Sequence, residues 1–292
     1  MKNETIARKI FVVVNTAFML FMIVICLYPM IYVLFASLSD SNLLMAHRGL
    51  LMSPIKTNIE SYKAVLQNDM IGSGYMNTIF IVTVGVLINL LMTSLGAYFL
   101  SRRDVMLKNI IMGFITFTMF FGGGLIPFYL TVKSIGLYNS LWALILPTAI
   151  STFNMIIMRT SFMTIPASLE ESAKIDGAGH ITILARIILP LSKAIIAVMV
   201  LFYGVGHWNS WFNAMLFLNK RELFPLQLVL REILLQNDTQ SMMQGTSVAD
   251  GLSISETVKY AVIIVATLPI LTVYPFLQRY FVQGVMVGAL KG

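Results

Sequence analysis

Charge is scarce in this sequence: Asp, Glu, Lys and Arg make up 11% of 292 residues, against 58% hydrophobic residues. A soluble domain carries about a quarter charged residues, so the chain reads as a membrane protein. Cysteine is all but absent. The single one, Cys26, lies in the first apolar block, which excludes a disulfide framework and leaves a small buried hydrophobe as its simplest role. Histidine is nearly as rare. His47, His180 and His207 are too scattered for an H-E-x-x-H metalloprotease motif, and no metal site is expected. The sequence also lacks a G-x-x-x-x-G-K-[ST] phosphate loop, so ATP has no usual binding site on this chain. Energy for any work must come from another subunit.

Long apolar sequence is what the chain has in abundance. A bilayer core of about 30 Å needs about 20 apolar residues per helix. Six blocks meet that length, at roughly 10–37, 75–100, 109–131, 139–158, 194–217 and 259–278. The expected fold is therefore all-α and polytopic, with six transmembrane helices in one transmembrane domain spanning 1–292. The first block follows Lys2, Arg8 and Lys9 but is too long for a signal-peptide core, so it is read as a retained anchor.

Orientation follows from where the cations fall. With the amino terminus inside, segments 1–9, 101–108, 159–193 and 279–292 are cytoplasmic and hold twelve of the twenty Lys and Arg residues. Five of the thirteen acids lie there too, so the whole formal charge of +7 falls on the cytoplasmic face. The positive-inside bias thus places both termini in the cytoplasm and loops 38–74 and 218–258 outside. This basic balance reports topology and contact with anionic lipid, not a nucleic-acid partner.

The spans themselves contain no internal Asp, Glu, Lys or Arg, and His207 is the one ionisable side chain of note. A proton- or sodium-coupled carrier usually keeps an intramembrane charge for its coupling ion. A secondary carrier or channel therefore stays a weaker alternative, and an intramembrane enzyme built on His207 a weaker one still.

One polar island interrupts this pattern. LEESAKIDGAG, residues 169–179, sits in the largest cytoplasmic loop, 159–193. Pro166 should end the preceding helix, and Ser168 with Glu171 reads as an S-x-x-E capping box that starts a new one. Gly177 and Gly179 should stop it through left-handed backbone conformations, and Pro190 should interrupt the apolar helix that follows. So short a helix is marginal in water and needs packing to hold it, which makes it a docking element.

Here the chain resembles a known family. Bacterial ABC-importer permeases carry a cytoplasmic E-A-A-x3-G-x9-I-x-L-P signature, and this chain has Glu171-Ser172-Ala173, then Gly177, then Ile187-x-Leu189-Pro190 at the same spacings. Ser172 replaces the first alanine, and Leu184 stands where many members have an aromatic residue. GGGLIPFYLTVKSIGLYNSLWALILP (122–147), GHWNSWFNAMLFL (206–218) and QRYFVQGVMVGALKG (278–292) are similar to the MalG-like carbohydrate permeases, and within them to the LplC/YtcP-type group.

That resemblance implies a type I ABC-importer permease in the bacterial cytoplasmic membrane. The expected partners are a second related permease subunit, two ATPase subunits that bind the ATP and Mg, and an extracytoplasmic solute-binding protein facing loop 218–258. The chain itself would be non-catalytic and without a cofactor. Its cargo would be an oligosaccharide, with an amino acid, peptide or ion as the alternative within the class. By the same resemblance Glu170, Glu171 and Asp176 meet the ATPase, Ser172 and Ala173 permit close approach, and Gly177 sets the bend. Ile187, Leu189 and Pro190 complete the coupling loop. Glu171 has a competing role as the cap partner. The tail residues Gly284, Gly288, Lys291 and Gly292 are expected to touch the ATPase as well.

The substrate pathway is harder to read. Asn77, Asn89, Asn154, Trp208, Asn209, Trp211 and Asn213 lie in or near spans, where amides must find partners or a wet path. Sugars suit that mixture of hydrogen-bonding groups and flat aromatic faces. Interhelical glue and interface anchoring compete with substrate contact at each position.

Overall fold

In the computed structural model, residues 5–102, 104–243, 257–273 and 275 are described. They form α1 (Ile6–Ser37), α2 (Ser41–Ala46), α3 (Glu60–Leu66), α4 (Asp69–Ser101) and α5 (Lys108–Phe120). There follow α6 (Leu125–Ser134), α7 (Trp142–Ile145), α8 (Thr152–Phe162), α9 (Ala167–Ile175), α10 (His180–Ile183) and α11 (Leu189–Leu191). Next are α12 (Lys193–Trp208), α13 (Phe212–Phe217), α14 (Leu226–Met243) and α15 (Thr257–Val273). No strand occurs among the described residues.

Among the described residues, only α1 and α4 are long and apolar enough to cross a membrane as unbroken helices. At 1.5 Å per residue, the 32 residues of α1 reach about 48 Å, more than the hydrocarbon core requires. Two of the expected spans are instead bent pairs, and a third bend lies where the expected cytoplasmic loop meets α12. The glycine run breaks the 109–131 block: Gly124 takes φ +85°, and α5 meets α6 at 111°. Residues 142–148 meet α8 at 49°, and residues 180–191 meet α12 at 87°. The expected last span, 259–278, is described as the 17 residues of α15 together with residue 275.

The chain divides into two compact units, residues 1–68 with 232–267 and residues 69–231 with 268–292. In the first, Ala36, Leu44 and Leu51 form a small core, with Tyr32, Phe35, Ile55 and Tyr260 packed on it. The Ser37 and Tyr62 hydroxyls share a 2.7 Å hydrogen bond, Ser61 donates to Thr257 over 2.7 Å, and Asp40 caps α2 by accepting from the Asn42 and Leu43 N–H groups. The expected external loop 38–74 is thus largely structured.

In the second unit, α8 and α12 pack on α4. Its core joins Ala97, Tyr98 and Leu100 of α4 to Met155, Met158 and Phe162 of α8, Met199 and Tyr203 of α12, and Ile183, Leu184 and Ile188. Segment 180–188 is therefore anchored in the same core as the long helices. Gly96 lets Met155 approach α4, since an added Cβ would stand 3.0 Å from its sulfur.

Candidate functional site

The polar island folds as a short helix between two backbone breaks. Pro166 is the N-cap residue of α9, and its carbonyl already accepts from Leu169 N–H at 3.3 Å. The helix therefore begins directly after the proline, which moves Ser168 inside the first turn. No side-chain cap hydrogen bond forms, so the expected Ser168–Glu171 capping box is absent. At the other end Gly177 takes φ +78°; its N–H reaches the Lys174 carbonyl at 3.0 Å, and Ala178 N–H reaches the Ala173 carbonyl at 2.9 Å. These two bonds make a Schellman motif, which satisfies carbonyls the helix end would otherwise leave open. Gly179 departs from expectation: its φ of −74° is extended backbone, and it leads into α10 as the N-cap residue.

After α10 a π turn covers Leu184–Ile188, in which Leu189 N–H reaches back to the Leu184 carbonyl. A wider turn at this point accommodates Pro190, whose ring crowds the preceding turn and which has no N–H to donate.

The signature residues divide between two directions. Glu171, Ser172 and Asp176 are exposed, as is Pro190. Ala173, Ile187 and Leu189 are half-buried and pack against the chain's own core. Glu170 also turns inward: its carboxylate, 12% exposed, pairs with Arg102, and its Oε1 lies 3.5 Å from Lys174 Nζ. Lys174 reaches Asp104 as well, at 3.4 Å. Arg102 lies 4.7 Å over the Tyr98 ring and donates to Ser101 Oγ, while Tyr98 Oη is 3.3 Å from His180 Nδ1. Arg159 on α8 donates to the Leu100 carbonyl at 2.9 Å. These contacts fasten α9 and α10 to the end of α4. A hydrogen bond from its own backbone, reinforced by Lys174, holds the Asp104 carboxyl below the usual carboxylate range.

A second polar feature lies among α4, α8 and α12. Buried Asn89 donates to the Thr148 carbonyl at 2.6 Å and faces His207 Nε2 at 2.6 Å. Thr93 and Tyr203 share a 2.7 Å bond, and Tyr203 Oη accepts from Ser151 N–H at 3.1 Å. Gly85 makes room for the histidine, because a Cβ there would stand 2.6 Å from Nε2. Beside this network is a cavity of 390 Å³, lined in part by Ser151, Asn154, Tyr203, His207, Ser210 and Asn213 and by no Asp, Glu, Lys or Arg.

Of the seven expected pathway residues, Asn154 and Asn213 line this cavity, and Asn89 stands behind His207. Asn77 instead donates to the Glu222 and Phe224 carbonyls, and Asn209 to the Val205 carbonyl of its own helix. Trp208 packs edge-on against Tyr75, and Trp211 lies 4.5 Å under the Arg231 guanidinium. His207, the one ionisable side chain of note in the expected spans, joins Asn154 and Asn213 in the lining of this cavity. The tail positions Gly284, Gly288, Lys291 and Gly292 lie outside the described residues.

Residues 85–287 match the family described as binding-protein-dependent transport system inner membrane component. The chain is 40% identical over 290 residues to a polygalacturonan/rhamnogalacturonan transport system permease protein, YtcP, of Bacillus subtilis (strain 168), covering 98% of this chain and 99% of that one. It is also 40% identical over 290 residues to the protein LplC of the same organism, covering 99% and 98% respectively. Among solved structures, it is similar to a chain of a bacterial ABC transporter involved in the import of the acidic polysaccharide alginate. The TM-score is 0.86 at 31% identity, with 96% of this chain and 100% of that one covered.

Proposed function

The chain belongs to the family of binding-protein-dependent transport system inner membrane components, and on that premise we propose that it is the permease subunit of an ATP-driven importer of oligosaccharides. The observation that carries this reading is α9: a Schellman-closed helix fastened to α4 through Arg102 and Glu170 while presenting Glu171, Ser172 and Asp176 outward. A helix fixed at its root and polar at its free face suits a contact that transmits motion into the bundle.

In this reading α1, α4, α5 with α6, residues 142–148 with α8, α12 with α13, and α15 are six spans, with both termini cytoplasmic as the cation distribution favours. Two copies of a separate ATPase bind ATP and Mg, and this chain contributes no catalytic group. One ATPase receives α9, and Gly284, Gly288, Lys291 and Gly292 of the tail make a further contact with the pair. A second, related permease completes the pathway, and an extracytoplasmic binding protein delivers the cargo. Closure of the ATPases then moves the permease helices between inward-facing and outward-facing states. The names of the relatives point to oligosaccharides from uronate-bearing polysaccharides as cargo. The cavity beside His207, with amides and hydroxyls at Asn154, Ser210 and Asn213, is this chain's share of the passage.

Copurification and reconstitution test the proposal. In mild detergent the chain should travel with a nucleotide-binding protein and a second permease. In proteoliposomes the assembly should hydrolyse ATP faster when its binding protein arrives loaded with an oligosaccharide. Purification without an ATPase, or uptake that ignores ATP, would overturn the reading.

A further inference from the structure

Asn89 fixes the proton of His207. Its amide nitrogen is spent on the Thr148 carbonyl, so its Oδ1 faces Nε2, and an amide oxygen can only accept. Nε2 therefore carries the hydrogen, and in the neutral ring Nδ1 is left with a lone pair. His207 is 7% exposed, and it lines the 390 Å³ cavity. Among the described residues the one hydrogen bond of the ring is that between Nε2 and Asn89, so Nδ1 is the remaining acceptor of a residue that lines the cavity. Gly85 and Asn89 hold the Nε2 side of the ring, so Nδ1 is the atom left to accept a hydrogen bond from a ligand.

We infer that His207 is a substrate-reading residue of the passage, whose Nδ1 accepts a hydrogen bond from a sugar hydroxyl, with Asn89 and Gly85 as its positioning residues. This inference rests on the importer reading and adds to it the group that is recognised. A carboxylate has no hydrogen to give a neutral imidazole, so any uronate carboxylate must turn to the donors of Asn154, Ser210 and Asn213. His207 reads hydroxyls, whether the sugar chain is neutral or acidic. A buried acceptor left without its donor loses a hydrogen bond outright, so discrimination comes from what the cargo lacks.

The test uses the complete importer in proteoliposomes, with its partner permease, ATPase pair and binding protein. ATP-driven uptake of radiolabelled maltotriose and trigalacturonate is measured for the wild type, for His207→Phe, which cannot accept, and for His207→Gln, which can. His207→Phe should lower uptake efficiency about tenfold on the sugar that the wild type carries, with His207→Gln in between. In the wild type labelled with ¹⁵N-histidine, the His207 Nδ1 resonance should move to the hydrogen-bonded position when that sugar is present. A merely structural histidine would not show that shift, and the resonance decides the matter if His207→Phe fails to assemble. Equal uptake in all three proteins, or an unmoved Nδ1 resonance during uptake, overturns this inference and leaves the importer reading standing. Wild-type uptake of either sugar without ATP overturns both.

Discussion

Arg102, just past the end of α4, forms an ion pair with Glu170 in the first turns of α9, so α9 is fastened by charge as well as by packing to a helix long and apolar enough to cross a membrane. Both side chains are nearly buried, and breaking such a pair strands the remaining charge.

Glu170→Gln or Arg102→Gln should therefore loosen α9 without expelling the chain from the membrane. We expect oligosaccharide uptake per ATP hydrolysed to fall severalfold in either variant, with partial recovery in the charge-swapped Arg102→Glu, Glu170→Arg protein. Hydrogen exchange on residues 167–175 should rise in the single variants. Asp104→Asn should change little, because its contact with Lys174 is solvent-exposed and such pairs contribute at most about 1 kcal/mol.

Gly177→Ala forces an alanine into the left-handed region at a cost of about 1–2 kcal/mol. Space is not the obstacle, since a Cβ there meets nothing within 4 Å. Coupled uptake should drop, and Gly177→Asn should recover part of it because asparagine tolerates that conformation. Equal uptake in all three proteins would show that the bend is dispensable.

Gly85→Ala would place a methyl 2.6 Å from His207 Nε2 and push the ring away from Asn89. Overpacking of this kind costs about 1–3 kcal/mol, and the detergent-solubilised protein should melt earlier by a measurable margin. Gly206→Ala on α12, with nothing within 4 Å of the added carbon, is the matched control and should melt with the wild type.

Glu171 and Asp176 are exposed, so alanine at both should leave insertion and melting unchanged while lowering transport-coupled ATP hydrolysis. The single native thiol simplifies the companion experiment: in a Cys26→Ala background, a cysteine replacing Glu171 should cross-link to the ATPase during turnover. Cross-links confined to this chain would remove α9 from the interface.

Much of this arrangement was legible in the sequence because its causes are local. Pro166 and Gly177 bound α9 as their backbone chemistry requires. The relations that escaped reading are those between distant segments. Nothing near Glu170 announces Arg102, and nothing near Asn89 announces His207. The absent cap has a similar lesson at shorter range: Ser168 fits an N-cap pattern, but Pro166 starts the helix before the serine can serve. The backbone carbonyls that Asn77 and Asn209 donate to are likewise unannounced, since an amide that glues and one that binds cargo have the same composition.

The corner near Ser192 has a mechanical consequence. Because the run from His180 to Leu191 meets α12 at 87°, a thrust along the first arrives at the second as a sideways push, not as a slide along its axis. Under the proposed importer reading, a short stroke from the ATPase would thereby become a lateral displacement of the helix that carries His207 at its far end, as a crank converts the direction of a force.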